Sequence, residues 1–167
     1  MTREIDPLAL LIKIAKEKHI DKKWKDQPLY LIKILPNSNK GNLAEEFVVE
    51  YCNSLGFKAK KEEKLGDFDI KINDKKFEVK MATEDLAGNF QFNHIRLDFK
   101  YEWLLCMGFA PAEIFFDMFS KADVATGKAG VLVPMGKGHN ADFKLTKPKN
   151  QLKSIRKLKK TLQFNLK

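Results

Sequence analysis

Residues 66–80, GDFDIKINDKKFEVK, put Asp67 and Asp69 on one short extended segment and Glu78 and Lys80 on the next. Side chains of an extended chain change face at every residue, so Asp67 and Asp69 share a face, as do Glu78 and Lys80. Between the segments, Asn73-Asp74 suits a two-residue turn, because both types tolerate positive φ. Folded about that turn, Asp69 lies opposite Glu78 and Asp67 opposite Lys80, with Phe68, Ile70, Phe77 and Val79 on the buried side. Three carboxylates and one ammonium gathered in this way are costly unless a cation joins them. Oxygen-only donors favour Mg²⁺ or Mn²⁺ over zinc. The chemistry this pattern suits is metal-dependent hydrolysis of a phosphodiester, and the competing reading is a charged hairpin side that faces water.

The elements around the hairpin can be read from periodicity and turn chemistry. Asp6-Pro7 is a helix start, and Leu8, Leu11, Ile12 and Ala15 recur at helical spacing to about His19. After a polar, lysine-rich stretch, Pro28 opens a short apolar helix, Leu29 to Leu35, closed by Pro36. PNSNKGN is expected to be a loop. From about Gly41 a helix carries Leu43, Phe47, Tyr51 and Leu55, with Gly56 just past its end. A strand at Phe57 and the hairpin then complete an αβββ order. TEDLAGNFQFNHIRLD reads as a loop with a short helix or strand. Trp103 to Phe109 and Glu113 to Phe119 are apolar strands dense enough for the centre of a sheet. Val131 to Val133 and Asp142 to Thr146 are short strands flanking a Gly-rich stretch. Pro148 is expected to start a helix with Leu152, Ile155, Leu158 and Leu162 on one stripe. His19 and Trp24 read as structural.

A chain of 167 residues is one domain's worth of core. No apolar run approaches the roughly 20 residues that cross a bilayer, and the N-terminus lacks the pattern of a signal peptide, so a cytoplasmic protein is expected. Cys52 and Cys106 lack CxxC spacing and lie in apolar stretches, which points to reduced core residues. The formal charge of +9 is unevenly placed. Lys144 to Lys167 holds eight Lys and one Arg with no Asp or Glu, so the whole excess lies there and the rest of the chain balances. Such a segment, Lys149 and Lys153 included, suits a phosphate-contacting arm whose contribution falls steeply with salt; a solubilising tail is the alternative.

K-G-N-L-A-E-E-F, G-D-F-D-I and F-E-V-K, in that order and spacing, resemble the PD-(D/E)XK nuclease superfamily, the restriction-endonuclease-like fold. The similarity spans roughly residues 40 to 119. It implies an αβββαβ core with a mixed central sheet flanked by helices. A helical extension over 1–38, a catalytic core over 39–146 and a basic C-terminal helix over 147–167 would make up the single domain. The family's aspartate is usually preceded by Pro or a small residue, whereas this chain offers both Asp67 and Asp69. G-D-F-D-I is similar to the G-[ED]-x-D-[LI] variant, which favours Asp69. The family register likewise favours Glu45 over Glu46.

The resemblance implies a role for each of these residues. Asp69, Glu78 and the Val79 carbonyl would hold Mg²⁺, with Mn²⁺ as a substitute, and Glu45 would reach the ion directly or through water. Lys80 would position the attacking water and stabilise charge on the phosphate, leaving 5′-phosphate and 3′-hydroxyl ends. Downstream, F-Q-F-N-H-I-R is similar to a segment of some type II restriction enzymes. Gln91, Asn93, His94 and Arg96 there are suited to base edges and phosphates, the alternative being a polar element with Arg96 bridging Asp98. Lys137, His139 and Asn140, in a Gly-rich loop, are further candidate DNA contacts.

The expected activity is therefore a site-specific, restriction-type endonuclease of double-stranded DNA. A homodimer is the default expectation because cutting two strands needs two active sites or two visits, although monomeric cutters and nicking enzymes exist. A companion methyltransferase or subunit is the further partner that a restriction system implies. A structure-selective nuclease, such as a Holliday junction resolvase or repair nuclease, would share the hairpin but read DNA shape. A non-catalytic nucleic-acid-binding module ranks behind both, since clustered carboxylates repel phosphates unless a metal neutralises them.

Overall fold

Asp6 accepts a hydrogen bond from the Leu8 N–H at 3.0 Å and so opens the first helix, α1 (Pro7–His19). The chain is seen as a computed structural model that describes residues 6–19, 22–62, 66–136 and 142–166. A short helix, α2 (Tyr30–Ile34), precedes the long α3 (Asn37–Ser54). α3 starts before Gly41, so most of PNSNKGN is helix and not loop. The Pro36 carbonyl accepts from both Asn39 N–H (3.0 Å) and Lys40 N–H (3.3 Å), which satisfies donors that the polar sequence would otherwise leave to water. At the other end Gly56 takes φ +91°, Phe57 N–H bonds the Cys52 carbonyl and Gly56 N–H bonds that of Asn53. This is a Schellman closure, and it needs a left-handed residue at that position.

The strands build two sheets. β1 (Ala59–Lys61), β2 (Ile70–Ile72), β3 (Lys75–Thr83), β5 (Trp103–Phe109), β6 (Ile114–Ser120) and β9 (Lys153–Ser154) form one sheet in the order β1-β2-β3-β5-β6-β9. β4 (Asn89–Ile95), β7 (Leu132–Pro134) and β8 (Phe143–Pro148) form the other, in the order β4-β8-β7. β3 and β5 run parallel, with Val79 beside Leu105, and the other pairs in the large sheet are antiparallel. The mixed sheet and its αβββ beginning agree with the expectation. The next step does not, because the αβββαβ order calls for a helix between β3 and β5 and the chain has β4 there. N-F-Q-F has a period of two, so burying Phe90 and Phe92 on one side demands a strand.

Each face of the large sheet covers a core. On one face α3, Trp24 and the last helix, α5 (Leu158–Asn165), pack on Ile70, Phe77, Val79, Leu105 and Met107. On the other, the small sheet and the short α4 (Lys121–Ala125) pack on Ala82, Leu104 and Cys106. β5 is buried on both sides, as its composition requires. A Cβ at Gly108 would lie 3.0 Å from Leu152 Cδ1 and 3.1 Å from the Phe90 ring, so only glycine lets the sheets approach here. Both cysteines are buried and free. Burial pushes the Cys52 thiol up to about 12.

The C-terminal stripe is a second correction. Pro148 does not start a helix: the segment passes through β9 and two 3₁₀ turns, and α5 begins only at Leu158. Leu152 is buried in one core and Leu158 and Leu162 in the other, so a single continuous helix could not have served both. No helix among the described residues is long and apolar enough to cross a membrane.

Candidate active site on the open edge of β3

The hairpin turns at Asn73 (φ +46°) and Asp74 (φ +65°), the left-handed pair of a type I′ turn. The Asn73 side chain also accepts the Lys58 N–H at 2.9 Å, tying the turn to β1. Pairing of Ile70 with Phe77 ends the β2–β3 ladder, whereas β3 continues to Thr83. The upper half of β3 therefore has no strand on its β2 side. Asp69 sits where the ladder stops. Its N–H donates to the Phe77 carbonyl at 2.9 Å, and its Oδ2 accepts the Val79 N–H at 2.7 Å. The N–H and C=O of a strand residue leave by the same edge, so the Val79 carbonyl also faces this open edge.

Because β2 is so short, strand alternation does not extend to Phe68 and Asp67. Asp67 is not opposite Lys80; its carboxylate pairs with Lys100 at 3.2 Å. Phe68 is not behind the hairpin with Ile70. It packs against the other core, with the Lys71 and Lys76 ammonium groups 5.5 and 5.4 Å from its ring centroid.

Glu78 is only 1% exposed. Its Oε1 lies 2.5 Å from Lys80 Nζ, and its Oε2 has no hydrogen-bond partner among the described residues. A buried carboxylate with one unsatisfied oxygen is expensive and leaves a coordination position open. Burial first, and then the Glu78 charge, push the Asp69 carboxyl up to about 6, against the opposing pull of the Val79 N–H, Lys80 and Lys61. Burial and Glu78 likewise push the nearby Tyr101 phenol up to about 12. The cluster is thus short of positive charge despite Lys80.

On α3, Ala44, Val48 and Cys52 define the buried stripe. Glu45 beside it is half-buried and Glu46 is exposed. Glu45 is held by Lys61 at 2.6 Å. Among the described residues no three His, Cys, Asp or Glu side chains stand close enough to enclose a metal unaided. A magnesium ion does not require that. It keeps several waters and is commonly held by one or two carboxylates plus substrate phosphate. Asp69, the unsatisfied Glu78 Oε2 and the Val79 carbonyl fit that donor set, and Glu45 lines the same cleft.

A cleft of about 430 Å³ runs along the open edge of β3 and contains Asp69, Val79 and Lys80. Asn37, Lys40 and Glu45 of α3 form one wall, and Gln91, Asn93 and His94 of β4 the other. Glu78 lies beneath, reaching the cleft through its pair with Lys80. Asn37 and Lys40 were missed as cleft residues because their segment reads as a loop, although Lys40 stands at the head of the K-G-N-L-A-E run. Burial and the Lys33 ammonium hold Lys40 below the ordinary lysine range.

Other candidates lie elsewhere. Arg96 does not line the cleft; it is clamped by Asp98 through Nε (2.9 Å) and Nη2 (2.6 Å) and stacks on Phe99. Lys149 pairs with Glu113 (3.4 Å) and Lys153 with Asp117 (2.8 Å), so this part of the basic segment lies against β6. Lys157, Lys159 and Lys160 are exposed. Lys137, His139 and Asn140 lie outside the described residues.

No protein-family model matches the chain, and no curated protein does. Among solved structures it is similar to a bacterial homing endonuclease, I-Ssp6803I, at 12% identity, with 74% of this chain and 87% of that chain covered and a TM-score of 0.46. A likeness at this level leaves the activity to be argued from this chain's own residues.

Proposed function

We propose that the chain is a Mg²⁺-dependent endodeoxyribonuclease that cuts duplex DNA at specific sites, leaving 5′-phosphate and 3′-hydroxyl ends. The observation that carries this reading is the open edge of β3, where Asp69 and Lys80 line a cleft and the half-satisfied buried Glu78 pairs with Lys80. A bound Mg²⁺ would supply charge to the scissile phosphate and acidity to a water. Asp69 and Glu78 would hold it, with the Val79 carbonyl as a further donor. The Lys80 ammonium, fixed by Glu78, would orient the attacking water and meet the charge that grows on the phosphate. Lys40 on the α3 wall adds positive charge for the DNA backbone. Gln91 and Asn93, exposed on the β4 wall, offer amides of the kind that read base edges. Cutting both strands would take two active sites or two visits, and the exposed Leu8, Leu11 and Ile12 of α1 offer apolar surface for a homodimer.

The test is cleavage of supercoiled plasmid with Mg²⁺ by the wild type, Glu78→Gln and Lys80→Ala. Discrete linear fragments from the wild type, absent with both variants, are the expected result. Nicked circles alone would remove the double-strand part of the reading. Plasmid left intact with Mg²⁺ and with Mn²⁺, while DNA is still bound, would overturn the nuclease reading.

A further inference from the structure

β4 breaks its own alternation at one place. Phe90 and Phe92 are fully buried, so a period of two would also bury residue 94. Instead Ile95 is buried and His94 is 69% exposed at its side chain. The register of β4 on β8 shifts between Phe92 and Ile95, and His94 takes φ +58°. A bulge of this kind re-aims a side chain, and left-handed backbone is unfavourable for a non-glycine residue. Its effect is to place Asn93 and His94 together on the cleft side without unburying Ile95.

The ring is also oriented. His94 Nδ1 pairs with Asp142 Oδ2, and the His94 N–H donates to Met135 Sδ at 3.4 Å. A carboxylate on Nδ1 orients the ring and selects the tautomer, leaving Nε2, which has no partner among the described residues, for the cleft. His94 faces Asp69, Val79 and Lys80 across the cleft.

The cleft's other charged groups are poorly placed to give up a proton. Lys80 is committed to Glu78, Lys40 donates to the Lys33 carbonyl and the Asn37 side chain, the Asp85 carboxylate accepts the Ala87 and Asn89 N–H groups, Glu45 is held by Lys61, and Asp69 accepts the Val79 N–H and is given to the metal in the reading above. Hydrolysis that leaves a 3′-hydroxyl needs a proton on the departing oxygen.

We propose that His94, oriented by Asp142, is the general acid that protonates the leaving 3′-oxygen. This rests on the nuclease reading above. The water oxygen bonds to phosphorus, the P–O3′ bond breaks with its electron pair going to O3′, and the Nε2 proton moves to O3′. The imidazole regains a proton from solvent, which also takes the proton lost by the attacking water.

The test compares an ordinary duplex with one carrying a 3′-bridging phosphorothiolate at the cut site, where sulfur leaves without needing a proton. His94→Asn keeps a residue that tolerates the left-handed backbone, and Asp142→Asn removes the orienting charge. On the oxygen substrate His94→Asn should cut about 10²–10⁴-fold more slowly than wild type, and Asp142→Asn should lose less. On the sulfur substrate both should fall within about 10-fold of wild type. An equal loss on both substrates would overturn the acid role and leave His94 a DNA-reading residue. A wild type inert on both would overturn the nuclease reading and this inference with it.

Discussion

Replacing Asp69 with Asn should make the protein more stable and inactive at the same time. Burial and Glu78 raise the Asp69 carboxyl from its ordinary 3.8 to about 6. At ~1.4 kcal/mol per pH unit, that rise costs the folded state about 3 kcal/mol once the group is ionised in both states. The sign follows from proton counts. Between pH 6 and pH 4 the folded protein holds a proton that the unfolded chain has lost, so folding becomes more favourable as pH falls through this window. Above about pH 6 the penalty is complete, and below about pH 4 it is gone.

Asn carries no charge and its carbonyl oxygen can still accept the Val79 N–H, so the variant escapes the penalty and keeps the bond. At pH 8 the Asn variant should gain about 2–3 kcal/mol, which raises the urea midpoint by roughly 1 M for a domain of this size. At pH 4.5 the gain should shrink to about 1 kcal/mol. Mg²⁺ should stabilise the wild type at pH 8 by binding the folded state, and should stabilise the variant less. Urea melts at both pH values, with and without Mg²⁺, read all of this. A variant less stable than wild type at pH 8, or a gain of the same size at both pH values, would refute the electrostatic argument.

Three further predictions concern other parts of the molecule. Glu45→Ala should slow plasmid cleavage by more than about 10-fold while Glu46→Ala stays close to wild type, because only Glu45 lines the cleft; matched losses would remove α3 from the site. Gly108→Ala should cost about 1–3 kcal/mol, seen as a melting temperature lower by roughly 3–10 °C, since the new methyl meets Leu152 and Phe90. Lys153→Ala should cost about 1–3 kcal/mol by leaving the buried Asp117 unpaired, whereas Lys159→Ala and Lys160→Ala should each reduce the salt dependence of DNA binding by about one ion and leave stability unchanged. Equal stability losses from all three lysine variants would contradict that division of the basic segment.

Much of this molecule was legible because its signals are local. Asn73-Asp74 as a turn, Gly56 past a helix and Pro7 at a helix start each depend on the backbone preferences of one or two residues. β5 and β6 were visible from composition, because a strand covered on both faces can carry few polar side chains. The choice of Glu45 over Glu46 comes from the family resemblance, and in the structure Glu45 stands half-buried beside the Ala44 and Val48 stripe while Glu46 is exposed. Asp69 could be placed beside the Glu78 strand because a two-residue turn sets hairpin register without help from the rest of the chain.

What only the tertiary structure decided is where those local rules stop. The ladder ends at Ile70, so Asp67 turns to Lys100 and Phe68 crosses to the other core. The C-terminal stripe breaks because Leu152 and Leu158 serve opposite faces of the sheet. β4 stands where the resemblance implies a helix and the residues leave helix or strand open, and its bulge sets His94 beside Asp142, 48 residues away in sequence. Periodicity reports which residues seek burial, and it carries no information about which of two faces will bury them. That choice is made by the layers that close on the sheet, α3 and α5 on one face and the small sheet with α4 on the other, and the early end of β2 leaves the upper edge of β3 open.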